Sequence, residues 1–176
     1  MRKKSFDDVF LIKNKKFSDN RGYLEILDFG SAKKLGTDHS SIITLNKSKG
    51  TIRGLHYQKK IPQSKIIKVI KGEIFDVFLN INPKSKYFMQ YNYCKLNSKN
   101  STALFIGKDY AHGYQTLTND AIIVYFIYGK SSYKNSETIA YNDPKLKIPW
   151  PLKCSNISKK DLKAKNLRNL FKKIIV

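Results

Sequence analysis

Short runs of β-branched and aromatic residues, separated by turn-forming residues, recur along most of the chain. In one of them, from residue 73 to 80, Phe75, Val77 and Leu79 alternate with Ile74, Asp76 and Phe78, as expected for a strand with two distinct faces. This spacing predicts an all-β sandwich or barrel. The predicted strands lie at residues 9–12, 23–29, 41–46, 51–58, 65–70, 73–80, 87–96, 103–106, 113–117 and 121–128.

A helical pattern occurs only near the end of the chain. Ser158 is a candidate N-cap, and Leu167, Leu170, Phe171 and Ile174 follow the i, i+3, i+4, i+7 spacing of an amphipathic helix. Residues 158–176 are therefore predicted to form one helix or two short ones, with the apolar face docked on the sandwich. We expect one domain over residues 1–176, since no linker or internal repeat interrupts the pattern.

The charge of the chain invites a nucleic-acid hypothesis. Its 34 basic residues outnumber 13 acidic ones, for a formal charge of +21. Four of the 34 are arginine and the other 30 are lysine, spread along the whole sequence. Proteins that bind phosphate groups favour arginine for its bidentate geometry, so the charge is weak evidence of function. A basic nucleic-acid-binding β protein stays a remote alternative, and we expect no nucleic-acid partner.

Two cysteines and several apolar runs bear on the cellular setting. Cys94 and Cys154 show no metal-binding or redox spacing, and the first ten residues lack the apolar stretch of a signal peptide. The longest apolar run, AIIVYFIY from Ala121, is too short to span a bilayer. We expect a cytoplasmic protein with reduced thiols and no membrane partner.

Four residues in different predicted strands could carry chemistry together. GTIRGLHYQ at 50–58 contains His56, Lys65 begins the next strand, His112 lies in DYAHGYQTL at 109–117, and Tyr125 lies in an otherwise apolar strand. If these strands face one another, the four side chains converge at the mouth of the sandwich, where small β-barrels bind ligands. Each alone also fits a structural role, as a core histidine or a core aromatic. The chain has three histidines and no HxH pair, so we expect no metal centre and no other cofactor.

Six further motifs, in order along the chain, make a family resemblance specific. They are RGLHYQ at 53–58 with QSK at 63–65, KGEIFDV at 71–77, AHGYQTL at 111–117, NDP at 142–144, IPWP at 148–151 and, upstream of them, FSDNRG at 17–22. Together they resemble the dTDP-4-dehydrorhamnose 3,5-epimerase family. The resemblance implies a metal-independent, cupin-like jelly roll that acts as a homodimer, with residues 1–48 in the dimer contact. It also implies a nucleotide-linked 4-keto-6-deoxy sugar as substrate.

The resemblance assigns roles to individual residues. A ketone at C4 acidifies the protons at C3 and C5, so an epimerase needs a base, an acid on the opposite face and a group that stabilises the enolate. By resemblance, His56 is the base, Tyr125 the acid, Lys65 the enolate stabiliser and Asp161 the carboxylate partner of His56. The implied substrate-binding residues are Arg21, Arg53 and Lys160 for the diphosphate, His112 and Glu137 for the sugar, and Tyr133 for stacking on thymine.

The sequence departs from the family pattern mainly in residues expected to recognise the nucleotide. A polar pair falls on Ser41 and Ile43, and an acidic position falls on Ile26, with Glu25 one place away. A Pro-bearing turn is replaced by IGKD at 106–109. The choice of nucleotide, and of C3, C5 or both, therefore stays open. A sugar-nucleotide 3,4-ketoisomerase is a further alternative, although it would carry a second histidine where Tyr57 and Gln58 stand.

Overall fold

Two antiparallel sheets packed face to face form the body of the chain. The computed structural model describes residue 6 and residues 8–29, 39–130 and 135–171. Within these residues the elements, in chain order, are β1 (Val9–Lys13), β2 (Lys15–Asp19), β3 (Gly22–Ile26), β4 (His39–Asn46), β5 (Thr51–Gln58), β6 (Ser64–Lys71), β7 (Glu73–Asn80), β8 (Tyr91–Asn97), β9 (Thr102–Ile106), β10 (Tyr110–Thr116), β11 (Ala121–Tyr128), β12 (Ser136–Thr138), β13 (Asn156–Ile157), α1 (Lys159–Leu162) and α2 (Leu167–Leu170).

The strand order sets which elements surround the interior. The smaller sheet runs β1-β9-β6-β11-β4, and the larger runs β12-β5-β10-β7-β8, with β13 pairing in parallel with β5. The strands β2 and β3 form a separate hairpin. Between the two sheets lies an apolar core to which both contribute, including Ile67 and Ile123 from the smaller sheet and Ile74 and Tyr114 from the larger. The predicted all-β sandwich is confirmed.

The outer face of the larger sheet is covered by the C-terminal part of the chain. Leu55, Val77 and Leu79 on this face pack with Ile139 and Leu167, all of them buried. The prediction for 158–176 is one helix or two short ones, and the described residues contain two four-residue helices, α1 and α2. Residues 172–176 lie outside the described residues. Among the residues that the structure describes, no helix is long and apolar enough to cross a membrane.

The observed strands differ from the predicted ones where the apolar pattern is weak. Strand β2, KKFSD, has too few apolar residues to signal a strand, and β12 and β13 are only three and two residues long. The predicted strand at 87–96 starts later, at Tyr91, because Phe88 and Gln90 close turns onto Ser85 and Tyr87. Strand β10 starts three residues earlier than the predicted strand at 113–117, at Tyr110.

A buried ion pair attaches the β2–β3 hairpin to the smaller sheet. The Lys68 ammonium lies 2.5 Å from Glu25 Oε1, and the two side chains are only 2% and 8% exposed. Asn14 donates a second hydrogen bond to the same carboxylate oxygen, at 3.1 Å. Because a buried charge is costly without a partner, this contact fixes the hairpin strongly in one position. It also gives Glu25 a structural role.

Candidate active site

A close approach of two backbones places two histidines side by side. His56 on β5 lies directly opposite His112 on β10, next to an irregularity in the pairing of these strands. Gly54 has a φ of +110°, and a Cβ there would lie 2.6 Å from both the Gly113 Cα and the His112 carbonyl oxygen. Only glycine fits such a site without displacing the neighbouring strand. The close approach of Gly54 and Gly113, which belong to the sequence motifs, therefore brings the two histidines to one site.

His56 and Asp161 form a hydrogen-bonded dyad. His56 Nε2 lies 2.6 Å from Asp161 Oδ1, and the other carboxylate oxygen accepts from the Gly54 amide at 3.3 Å. Asp161 sits in the first turn of α1, where its own amide donates to the N-cap Ser158. Burial disfavours the charged carboxylate, but the hydrogen bond and charge of His56 and the Gly54 and Ser158 contacts together lower the pKa of Asp161. The ionised carboxylate holds the proton of His56 on Nε2 and leaves Nδ1 as its basic nitrogen.

A cavity of about 350 Å³ opens over this dyad. The His56 side chain is 40% exposed and that of Asp161 is 4% exposed, so the imidazole is accessible from the cavity while the carboxylate is buried. The cavity brings together seven of the predicted site residues: Arg53, His56, Lys65, His112, Tyr125, Lys160 and Asp161. They come from β5, β6, β10 and β11 and from α1, so the site is assembled from both sheets and the C-terminal segment.

Burial lowers the pKa of two basic side chains of the cavity, Lys65 and His112. It lowers the pKa of Lys65 to about 8, against the opposing attraction of Asp76. It also lowers the pKa of His112, although Asp76 favours the charged imidazole. His112 Nε2 lies 2.9 Å from Asp76 Oδ2, and the other oxygen of this buried carboxylate has no hydrogen-bond partner. Asp76 was missed as a site residue; its signal was an acid placed between the apolar residues Phe75 and Val77 in the middle of a strand.

Tyr125 is the candidate proton donor of the cavity. Burial, and then the neighbouring Tyr114, raise the pKa of Tyr125 well above its usual value, while Arg53 opposes them. Tyr125 is therefore a neutral phenol at physiological pH and can donate a proton. Arg53 is held by a hydrogen bond from its Nε to Asn46 Oδ1, at 2.8 Å.

Two predicted binding residues, Arg21 and Glu137, do not line this cavity. Arg21 lies near the tip of the β2–β3 hairpin, with its side chain 91% exposed and paired with Asp19 at 2.6 Å. Glu137 on β12 pairs with Tyr57, whose pKa is raised to about 12 by burial and by the charge of Glu137. Tyr133 lies outside the described residues.

Strand β4 presents a different face to the cavity from the one its sequence suggested. Ile42 and Thr44 line the cavity, whereas Ile43 is 72% exposed. Because side chains alternate along a strand, Ser41 lies on the same outward face as Ile43. On β4, Ile42 and Thr44 are the residues that line the cavity.

Comparison with known proteins identifies the class to which this fold and site belong. The family model for dTDP-4-dehydrorhamnose 3,5-epimerase matches residues 3–169. The dTDP-4-dehydrorhamnose 3,5-epimerase of Neisseria gonorrhoeae is 36% identical over 165 residues, covering 90% of this chain and 49% of that protein. This chain thus spans about half the length of that relative. The Methanothermobacter thermautotrophicus enzyme of the same name is 31% identical, with 94% of this chain and 93% of that protein covered.

A solved structure extends the similarity to three dimensions. The dTDP-6-deoxy-D-glucose-3,5-epimerase of Legionella pneumophila, crystallised with dTDP-4-keto-L-rhamnose, superposes with a TM-score of 0.88 at 29% identity. The superposition covers 97% of this chain and 94% of that one. The chain is therefore an isomerase with a cupin-like jelly-roll fold, as predicted. It belongs to the dTDP-4-dehydrorhamnose 3,5-epimerase family.

Proposed function

We propose that the chain inverts C3 and C5 of a dTDP-linked 4-keto-6-deoxy sugar, converting dTDP-4-dehydro-6-deoxyglucose to dTDP-4-dehydrorhamnose. The proposal rests on one observation: a single cavity is lined by His56, which is hydrogen-bonded to Asp161, by the buried phenol of Tyr125 and by Lys65. The pKa of Lys65 is lowered. The Legionella pneumophila structure supports the sugar, because that relative holds dTDP-4-keto-L-rhamnose.

The proposed reaction is a pair of proton transfers at each carbon. His56 Nδ1 removes the proton next to the C4 ketone, and the C–H electron pair moves to the carbonyl oxygen to form an enolate. The Lys65 ammonium stabilises this oxygen. Tyr125 then donates its hydroxyl proton to the opposite face of the carbon, and the enolate returns to the ketone. The His56 cation and the Tyr125 anion left behind regain their starting states by proton exchange with solvent.

The diphosphate of the substrate is proposed to lie along the Arg53 and Lys160 side of the cavity. The two terminal nitrogens of Arg53 are free to form a bidentate contact, because Asn46 holds only Nε. Lys160 lies at the rim on α1, where its ammonium donates to Ser136 at 3.2 Å. His112 is proposed to contact the sugar as a neutral imidazole.

The proposal is tested by incubating the protein in D₂O with dTDP-4-keto-6-deoxyglucose. NMR is expected to show one deuterium at C3 and one at C5, with both centres inverted. Label at one carbon alone would replace the proposal with a mono-epimerase. A product in which the keto group has moved from C4 to C3 would instead establish a 3,4-ketoisomerase.

We also propose that two copies of the chain form a symmetric dimer through the β2–β3 hairpin and β4. The hairpin exposes Phe17, Tyr23 and Leu24, and the edge strand β4 exposes Ile43 and Leu45. Large apolar side chains grouped on a protruding hairpin and a sheet edge are typical of a protein interface. In such a dimer Arg21, which does not line the cavity of its own chain, would serve the diphosphate site of the partner.

Mixed dimers test this arrangement. The wild type is expected to sediment with twice the 20.4 kDa mass of one chain. Arg21→Ala and His56→Ala chains, each nearly inactive alone, are mixed after reversible dissociation. If Arg21 acts across the dimer, each mixed dimer has one intact site, and activity recovers to roughly one quarter of wild type. A monomer, or a mixture no more active than its Arg21→Ala content, contradicts the proposal.

A further inference from the structure

Behind the cavity wall, a buried amide oxygen connects two elements of the site. Asn46, at the end of β4, is buried, and its Oδ1 accepts from the Arg53 Nε at 2.8 Å and from the Tyr114 hydroxyl at 3.2 Å. Its own amide nitrogen donates to the Ala121 carbonyl of β11 at 3.2 Å. The oxygen is thus fixed in place by the backbone of a neighbouring strand.

Tyr114 extends this network to the proposed acid. Its ring centre lies 6.4 Å from that of Tyr125, and both rings line the cavity. Thr44 Oγ1 lies 3.3 Å from the Tyr114 hydroxyl. Because the Tyr114 proton points to Asn46 Oδ1, the Tyr114 oxygen is left as a hydrogen-bond acceptor beside Tyr125. A hydrogen bond from the Tyr125 hydroxyl to this oxygen would connect Tyr125 through Tyr114 to Asn46, which also accepts from Arg53.

We propose that Tyr114 and Asn46 are positioning residues that couple the diphosphate-binding Arg53 to the acid Tyr125. This inference rests on the proposed function. In the resting site, Tyr114 holds the Tyr125 hydroxyl in one orientation. After Tyr125 has given up its proton, Tyr114 turns its own O–H from Asn46 to the new phenolate. Asn46 Oδ1 stays paired with Arg53 during this change, so no buried acceptor is left unsatisfied.

If Tyr114 and Asn46 position Tyr125, removing them changes how often the enolate is protonated by Tyr125 and how often by His56. The enolate can accept a proton from Tyr125, which inverts the carbon, or from the His56 cation, which restores the original configuration. In D₂O the second path leaves deuterium in unconverted substrate once the dyad has exchanged with solvent. The ratio of this exchange to inversion measures proton delivery by Tyr125 alone, and a general loosening of the fold does not change it selectively.

The deciding variant is Tyr114→Phe, which removes one hydroxyl and keeps the ring. We expect inversion to slow about tenfold, the exchange-to-inversion ratio to rise by a similar factor, and KM to stay within about twofold. Tyr93→Phe is the matched control, since Tyr93 packs on Phe75 at the opposite face of the larger sheet. It is expected to leave the ratio and the rate unchanged.

A second variant separates coupling from a local effect at Tyr114. Asn46→Ala releases both Arg53 and Tyr114, so KM is expected to rise about tenfold together with the exchange-to-inversion ratio. If Tyr114→Phe does not fold, this variant decides the matter. An unchanged ratio in the folded variants overturns the inference while leaving the epimerase proposal in place. A wild type that neither exchanges nor inverts removes the proposed function, and the inference with it.

Discussion

Replacing His56 with alanine is expected to abolish both deuterium uptake and inversion at C3 and C5. The base starts both reactions, and the loss of a positioned general base costs roughly 10² to 10⁴-fold in rate. Tyr125 cannot substitute for it, because burial keeps this phenol protonated. NMR of the sugar after long incubation in D₂O measures the residual exchange, and circular dichroism with a thermal melt reports the fold.

The matched control for His56→Ala is Asp161→Asn. The amide retains a hydrogen-bonding atom near His56 Nε2 and can still accept from the Gly54 amide, but it no longer carries the charge that favours the imidazolium. We expect an intermediate loss of rate, with exchange and inversion falling together. Full exchange in a folded His56→Ala variant would show that another group is the base.

Activity is expected to fall as the pH rises through about 8, because Lys65 loses its proton there. The neutral amine cannot stabilise the enolate, and removing one such donor costs about 2.7–4 kcal/mol of transition-state stabilisation. The profile of kcat/KM against pH, which reports groups of the free enzyme, is the measurement. Lys65→Met is expected to lose about 10² to 10³-fold in kcat below pH 8, where wild-type Lys65 is charged, and less above it.

Lys65→Arg separates the charge from the geometry. The guanidinium stays protonated across the whole range, so the falling limb near pH 8 is expected to disappear, although the maximal rate is reduced because arginine places its donors differently. A falling limb that persists near pH 8 in Lys65→Arg assigns the limb to a different group.

The sign of the linkage shows that this loss of activity does not come from unfolding at Lys65. The folded-state pKa, about 8, lies below the value of 10.5 for an unburied lysine. Between these pH values the unfolded chain binds more protons than the folded one, so raising the pH stabilises the fold through this group. A thermal melt at pH 9 is therefore expected to show no destabilisation from Lys65 while activity is already lower.

Local pattern predicted the strands that have strong apolar alternation. Strands β5, β7 and β11 match their predicted ranges because each has β-branched and aromatic residues bounded by turns. The hairpin strand β2 has no such pattern. It is stabilised by pairing with β3, which the Lys68–Glu25 contact attaches to the smaller sheet. Contacts of this kind join residues 43 positions apart and leave no local signal.

The candidate site was predictable only in part, for a similar reason. The family resemblance indicated His56, Lys65, Tyr125 and Asp161, and the structure gathers them around one cavity. It gave no indication of Asn46 and Tyr114, whose hydrogen bond joins residues 68 positions apart. On β4, Ile43 is exposed and its neighbours Ile42 and Thr44 line the cavity, a choice of face that a two-sided strand pattern does not decide.

The position of Asp161 makes turnover a measure of complete folding. Its contact with His56 joins residues 105 positions apart, and the segment that carries it also covers the outer face of the larger sheet. Closing a loop of this length has an entropic cost that local contacts do not have, so we expect this contact to form late in folding. A refolding chain can therefore acquire both sheets and still lack a working base, so recovered activity reports the docking of its C-terminal segment.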